Sequence, residues 1–86
     1  MPEISRFLGI VIYMYFSDHN PPHFHIRYNE YDGIISIETL KVLEGNLPQK
    51  IINLVQEWAK EHKSELQQNW DTLQTSGEYH KIKPLV

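Results

Sequence analysis

The strictest constraint on the fold is the regular alternation of residue types from His23 to Asn29. Large apolar side chains occupy every second position and polar side chains fill the positions between: Phe24, Ile26 and Tyr28 alternate with His23, His25, Arg27 and Asn29. Because successive side chains of a β-strand point to opposite faces, this pattern predicts a strand with one buried face and one polar face.

Neighbouring segments predict a small antiparallel meander around this strand. Residues 8–16 (LGIVIYMYF) are β-branched and aromatic throughout, which is typical of a strand buried on both faces, and residues 1–7 are expected to form an extended arm. Asp32-Gly33 is a strong hairpin-turn signal, after which residues 34–38 resume a strand. Residues 41–45 add a short edge strand, so we expect three to four strands in total.

A helical period replaces the alternation after Pro48. Apolar and aromatic residues then recur at spacings of three and four, with one histidine among them: Ile51, Val55, Trp58, His62, Leu66 and Trp70. Pro48 suits a first helical turn with Asn46 or Leu47 as the cap, so we expect one long helix that ends between Asn69 and Thr75. The two tryptophans are expected in the core, His62 at its rim, and residues 79–86 as an extended tail over the core or as an added strand.

Size and composition restrict the class of protein. The 86 residues fit a single domain, residues 1–86, of the α+β class: a three- to four-stranded antiparallel sheet packed on one long C-terminal helix. The chain has no cysteine, which excludes disulfides and thiolate metal sites. Its longest apolar run is too short to span a membrane, so we expect a cytoplasmic protein with no membrane association. The net charge of -3 and the scattered basic residues support DNA binding only weakly.

The motif DHNPPHFH, residues 18–25, is the candidate functional site. In a strand, His23 and His25 point to one side with Cα atoms about 6–7 Å apart, so both imidazoles could bind one divalent metal ion. A further ligand would have to come from elsewhere, and the candidates are Asp18, His19, Glu38 and His62. Arg27 follows on the same face, where a guanidinium group could bind a phosphate or a carboxylate.

The same residues also suit a purely structural role. Asp18 and Asn20 are good turn residues, and the two prolines restrict the chain before the strand, with the cis or trans state of Pro21 and Pro22 left open. The histidines could then serve as hydrogen-bonding partners that stabilise the turn. The residues alone therefore leave three interpretations open: a structural turn, a contact with an anion or nucleic acid, and a metal site.

The sequence resembles a known bacterial family over nearly its whole length. The segments MPEISRFLGIVIYMYFSDHNPPHFHIRYNEY, LEGNLPQK, EWAKEH and the tail KIKPL are similar to the small bacterial proteins grouped as domain of unknown function 4160, with DHNPPHFH as the most specific part. The resemblance implies a small partner protein encoded nearby, of domain of unknown function family 2442, in a toxin-antitoxin-like or regulatory module. It implies no established catalytic residues.

Two functional hypotheses follow from different classes of protein. The first is an interaction module that binds its partner through an exposed sheet edge or the C-terminal tail, with a homodimer and an RNA target as open alternatives. The second is an RNase or a metal-assisted phosphodiester hydrolase. Its catalytic candidates are His19, His23 and His25, and its candidate binding residues are Asp18 and Arg27. A metal-assisted version uses His23 and His25 as ligands, and no other cofactor is expected.

Overall fold

The computed structural model describes residues 2–86, which form one antiparallel sheet and two helices. The elements in chain order are β1 (Glu3–Phe7), β2 (Ile10–Tyr13), β3 (His23–Tyr28), β4 (Tyr31–Ser36), β5 (Val42–Gly45), α1 (Gln49–Glu61) and α2 (Lys63–Thr75). The strands follow one another in the sheet in the order β1-β2-β3-β4-β5. The α+β class and the antiparallel sheet are thus confirmed, whereas the sheet has five strands and the helical region two helices.

The first correction concerns residues 8–16, expected as one strand. The structure interrupts this segment at Leu8 and Gly9, where φ is +52° and +79°, and pairs Phe7 with Ile10 across the two-residue turn. Positive φ at both central positions is the geometry of the tight turns that match strand twist. The expected N-terminal arm therefore becomes β1.

The second correction concerns the hairpin between β3 and β4. Tyr28 pairs with Tyr31, so the turn is at Asn29 and Glu30, with Asn29 at φ +54°, and not at Asp32-Gly33. Gly33 has a different role inside β4. A Cβ atom there would lie 2.8 Å from a side-chain carbon of Leu47, so the absence of a side chain lets the segment after β5 pack against the sheet.

The third correction concerns the expected single helix. At His62 the backbone leaves helical geometry, with φ -122° and ψ 22°, and this residue ends α1 and precedes α2. Pro48 occupies the capping position before α1, in place of the expected Asn46 or Leu47. Trp58 and Trp70 are buried as expected, and His62 lies at the core rim with Nδ1 2.6 Å from a carboxylate oxygen of Glu65.

The C-terminal tail lies over the core and beside β1. Ile82 is buried, and its backbone N–H donates to the carbonyl of Ile4 in β1. The indole N–H of Trp58 donates to the carbonyl of Lys83, and the side chain of Asn69 bonds the backbone of His80 in both directions. These hydrogen bonds hold the tail against both the sheet and the helices.

The helices and the tail cover only one face of the sheet. The core unites the inward-facing residues of the strands with the apolar stripe of both helices, including Ile12, Phe24, Ile26, Ile35, Val55, Trp58 and Leu66. On the opposite face a row of paired residues crosses the sheet, with His25 between Tyr13 and Ile34. Neither helix within residues 2–86 is long and apolar enough to cross a membrane.

Candidate functional site

The candidate site is a cluster of three side chains at the start of β3: Asp18, His23 and His25, called here the Asp-His cluster. Asp18 precedes the two prolines, and its Oδ2 atom lies 2.9 Å from Nε2 of His23 and 3.3 Å from Nε2 of His25. One potential ligand atom from each residue lies within 4.8 Å of the other two. The alternation of β3 supplies the two imidazoles, and the loop folds back to supply the carboxylate.

Both ring nitrogens of His23 have partners that can only accept. Nδ1 donates to the carbonyl oxygen of Pro21 at 2.7 Å, and Nε2 faces the carboxylate of Asp18. The Asn20-Pro21 peptide bond is cis, which answers the question that the sequence left open for Pro21. The side chain of His23 is only 4% exposed, so this residue lies behind the surface and holds the loop to the strand.

The cluster changes the proton affinity of two of its members. Burial alone would raise the pKa of Asp18, but the backbone N–H of His19 and the contacts with His25 and His23 outweigh it and hold the pKa below its usual value. Burial lowers the pKa of His25, although its hydrogen bond to Asp18 opposes that effect. At neutral pH the carboxylate is therefore ionised, and the environment of His25 favours a neutral imidazole.

A cavity of about 320 Å³ lies beside the cluster on the uncovered face of the sheet. Its lining is mostly polar or aromatic and comprises Tyr13, Tyr15, His25, Arg27, Asp32, Gly33, Ile34, Glu44 and Gly45. The His25 ring stacks on Tyr13, with centroids 5.1 Å apart, and meets Tyr15 edge-on at 4.6 Å. His25 thus belongs both to the Asp-His cluster and to the cavity wall.

The other residues singled out from the sequence lie at varying distances from the cluster. His19 is 89% exposed, although its Nδ1 lies 3.1 Å from the second oxygen of Asp18. Arg27 lines the cavity, with its guanidinium carbon 5.9 Å from the centre of the Tyr13 ring. Glu38 and His62, considered as third ligands, are not among the cluster's three ligand residues, and Asp18 takes that position.

The cavity wall includes two tyrosines and two acidic residues that sequence reasoning did not single out: Tyr13, Tyr15, Asp32 and Glu44. The two tyrosines were placed within a strand expected to be buried on both faces, and Asp32 within a turn. The sequence held a signal for Asp32. If the turn is placed at Asn29 and Glu30, the alternation of polar and apolar residues continues into β4 and Asp32 lies opposite Arg27.

The fold and the site define a small α+β protein with a five-stranded meander, two covering helices and an Asp-His cluster at the start of the central strand. Residues 9–71 match the family described as domain of unknown function DUF4160, and the chain belongs to this family. The match includes the whole cluster and confirms the resemblance seen in the sequence. Among curated proteins and solved structures, no match was found.

Proposed function

We propose that the protein is one component of a toxin-antitoxin-like or regulatory two-protein module and that it binds its partner through the free edge of β5. The observation that carries this proposal is the unequal protection of the two sheet edges. The tail lies along β1, where the N–H of Ile82 donates to Ile4. At the other end of the sheet, no segment of residues 2–86 pairs with the outer side of β5.

The exposed residues of β5 suit an extended partner segment. Val42 is 37% exposed and Leu43 46% exposed, which are high values for apolar residues in a short edge strand. Unpaired backbone groups beside apolar side chains are the features that allow another chain to add a strand. The occupant is therefore an extended, partly apolar segment of the partner protein. Because the tail is held by its own bonds, the proposal places the contact on β5 and not on the tail.

Co-expression with the small protein encoded next to this one tests the proposal. A tagged wild-type chain should retain the partner, and Leu43→Lys should weaken retention at least tenfold, because a charge on an edge strand opposes pairing. Leu8→Lys is the matched control, since Leu8 is also exposed but lies in the turn between β1 and β2. Equal retention by both variants, or no retention by the wild type, would reject the β5 contact.

A second candidate function is phosphodiester hydrolysis, and the presence of His25 and Arg27 in one cavity wall favours it. A guanidinium group can bind a phosphate beside an imidazole that transfers a proton. His23 is buried with both nitrogens engaged, so direct contact with a substrate would fall to His25 and to the exposed His19. In this proposal His23 positions Asp18.

RNA cleavage by the purified chain tests this second candidate. His25→Gln should reduce the cleavage rate at least a hundredfold, whereas His62→Gln, on the helical side, should leave it unchanged. The circular dichroism spectrum of each variant establishes that it is folded. Cleavage that persists in folded His25→Gln would exclude a catalytic role for this residue.

A further inference from the structure

We infer that Asp18, His23 and His25 form a binding site for one divalent transition-metal ion. The inference depends on neither proposed function, because a bound ion is compatible with partner binding as well as with hydrolysis. It rests on the positions of three ligand atoms, on the hydrogen-bonding inventory of His23 and on the groups that orient the ligands.

Two of the three distances between the ligand atoms already match those around a small cation. Ligands about 2.0–2.1 Å from a tetrahedral zinc ion lie about 3.3 Å from one another. Oδ2 of Asp18 lies 2.9 Å from Nε2 of His23 and 3.3 Å from Nε2 of His25. All three ligand atoms lie within 4.8 Å of one another, so one ion could contact all of them.

His23 directs one ring nitrogen at the candidate metal position and holds its ring in place with the other. Carbonyl and carboxylate oxygens only accept hydrogen bonds, and His23 faces the Pro21 carbonyl with Nδ1 and the Asp18 carboxylate with Nε2. With Nδ1 donating to Pro21, Nε2 is the ring nitrogen left to bind a metal ion, and it faces Oδ2 of Asp18. The nearby Nε2 of His25 faces the same oxygen, which suits an ion that contacts all three atoms.

Groups around the cluster orient the ligands as they do in known metal sites. A metal-binding histidine typically donates its other ring N–H to a carbonyl or carboxylate, as Nδ1 of His23 does to Pro21. The second oxygen of Asp18 accepts the backbone N–H of His19 at 2.8 Å, which leaves Oδ2 directed at the imidazoles. His23 is buried, so its ring cannot turn away freely.

The ligand set indicates the class of metal. Two imidazoles and one carboxylate suit zinc, iron, cobalt or nickel, whereas magnesium and calcium prefer oxygen ligands alone. Three protein ligands leave at least one coordination position for water or another molecule, as in catalytic zinc sites. His25 also borders the cavity, so a molecule bound there would lie next to this ligand.

Titration of the metal-free full-length chain with Zn²⁺, followed by calorimetry, tests the inference. We expect one ion per chain and affinity reduced at least tenfold in each of Asp18→Asn, His23→Gln and His25→Gln. His62→Gln is the matched control, since His62 also contacts a carboxylate, that of Glu65, but lies outside the cluster. This control should bind Zn²⁺ as the wild type does.

A second measurement keeps the test decisive if His23→Gln fails to fold. Co²⁺ added to the wild type should give the visible absorption of a four- or five-coordinate ion with nitrogen ligands, and folded His25→Gln should lose it. Absence of Zn²⁺ binding to the wild type would overturn the inference. So would equal losses of affinity in His25→Gln and His62→Gln.

Discussion

Oδ2 of Asp18 lies 2.9 Å from Nε2 of His23, which joins the loop before β3 to the first residue of that strand. The contact closes over two prolines, and the Pro21 carbonyl accepts from the other nitrogen of the same ring. One imidazole therefore bonds the loop at two points. The motif is a turn and a candidate site at once, because the bonds that shape the loop also direct the carboxylate towards both histidines.

Replacing Asp18 by asparagine should destabilise the metal-free protein. Asp18 is 12% exposed and accepts hydrogen bonds through both oxygens, and loss of its charge should lower the free energy of unfolding by about 2 kcal/mol. Urea unfolding in the presence of a chelator measures the change. Asp71→Asn is the control, because the Asp71 side chain accepts only one exposed hydrogen bond, from Gln67. A similar loss in both variants would argue against a special role for the cluster.

Acidification should destabilise the metal-free protein through His25. Burial holds the pKa of His25 below its usual 6.5, so as the pH falls through about 6.5 the unfolded chain binds a proton that the folded chain does not. This group therefore lowers the free energy of unfolding by at most about 1.4 kcal/mol per pH unit, and the effect stops below its folded pKa. Urea unfolding from about pH 7.5 to 5 should show a shallower dependence in His25→Gln.

Protonation of Asp18 should destabilise the protein in a separate, more acidic pH range. Its folded pKa lies below the usual 3.8, so its stabilising effect is complete above that value and is lost as the pH falls through the folded pKa. Identical pH dependence of wild type and His25→Gln between about pH 7.5 and 5 would contradict the assignment to His25.

Gly33→Ala should destabilise the fold because the added side chain has no room. The added Cβ would lie 2.8 Å from Leu47 and 3.0 Å from the carbonyl oxygen of Glu44, so β5 and the following segment must shift. We expect a loss of about 1–3 kcal/mol in the free energy of unfolding. Asp32→Ala, at the preceding exposed position, should change stability by less than about 0.5 kcal/mol. Thermal and urea unfolding of both variants checks the expectation.

Ile82→Ala should release the tail. Ile82 is 3% exposed in the core, and truncation of a buried isoleucine costs about 2–4 kcal/mol. Hydrogen exchange should accelerate at the backbone amides of His80 and Ile82, which donate to Asn69 and Ile4. Val86→Ala, at an exposed position, should leave exchange unchanged. If exchange at His80 and Ile82 stays slow in Ile82→Ala, the tail is held mainly by its polar bonds.

Local patterns accounted for the class of fold and for the faces of its main elements. The alternation in residues 23–28 correctly separated buried Phe24 and Ile26 from the side of His25 and Arg27, because strand geometry alone fixes which side chains share a face. The helical period likewise found the buried tryptophans. The boundaries between consecutive elements were harder to predict. Gly9, in the turn between β1 and β2, lies within an apolar run, and His62 separates α1 from α2 without a proline or glycine.

The amino-acid sequence alone determined the antiparallel strands, the helical stripe and the histidines that share one side of β3, since each depends on residues close together in the chain. Only the tertiary structure decided that Asp18 is the group that joins His23 and His25, that Tyr13 and Glu44 share a cavity with His25, and that the tail covers β1 but leaves β5 free. These features depend on turn positions and on contacts between distant segments. A turn displaced by a few residues changes which strands and side chains meet. The hydrophobic periodicity of a single segment does not specify the position of that turn.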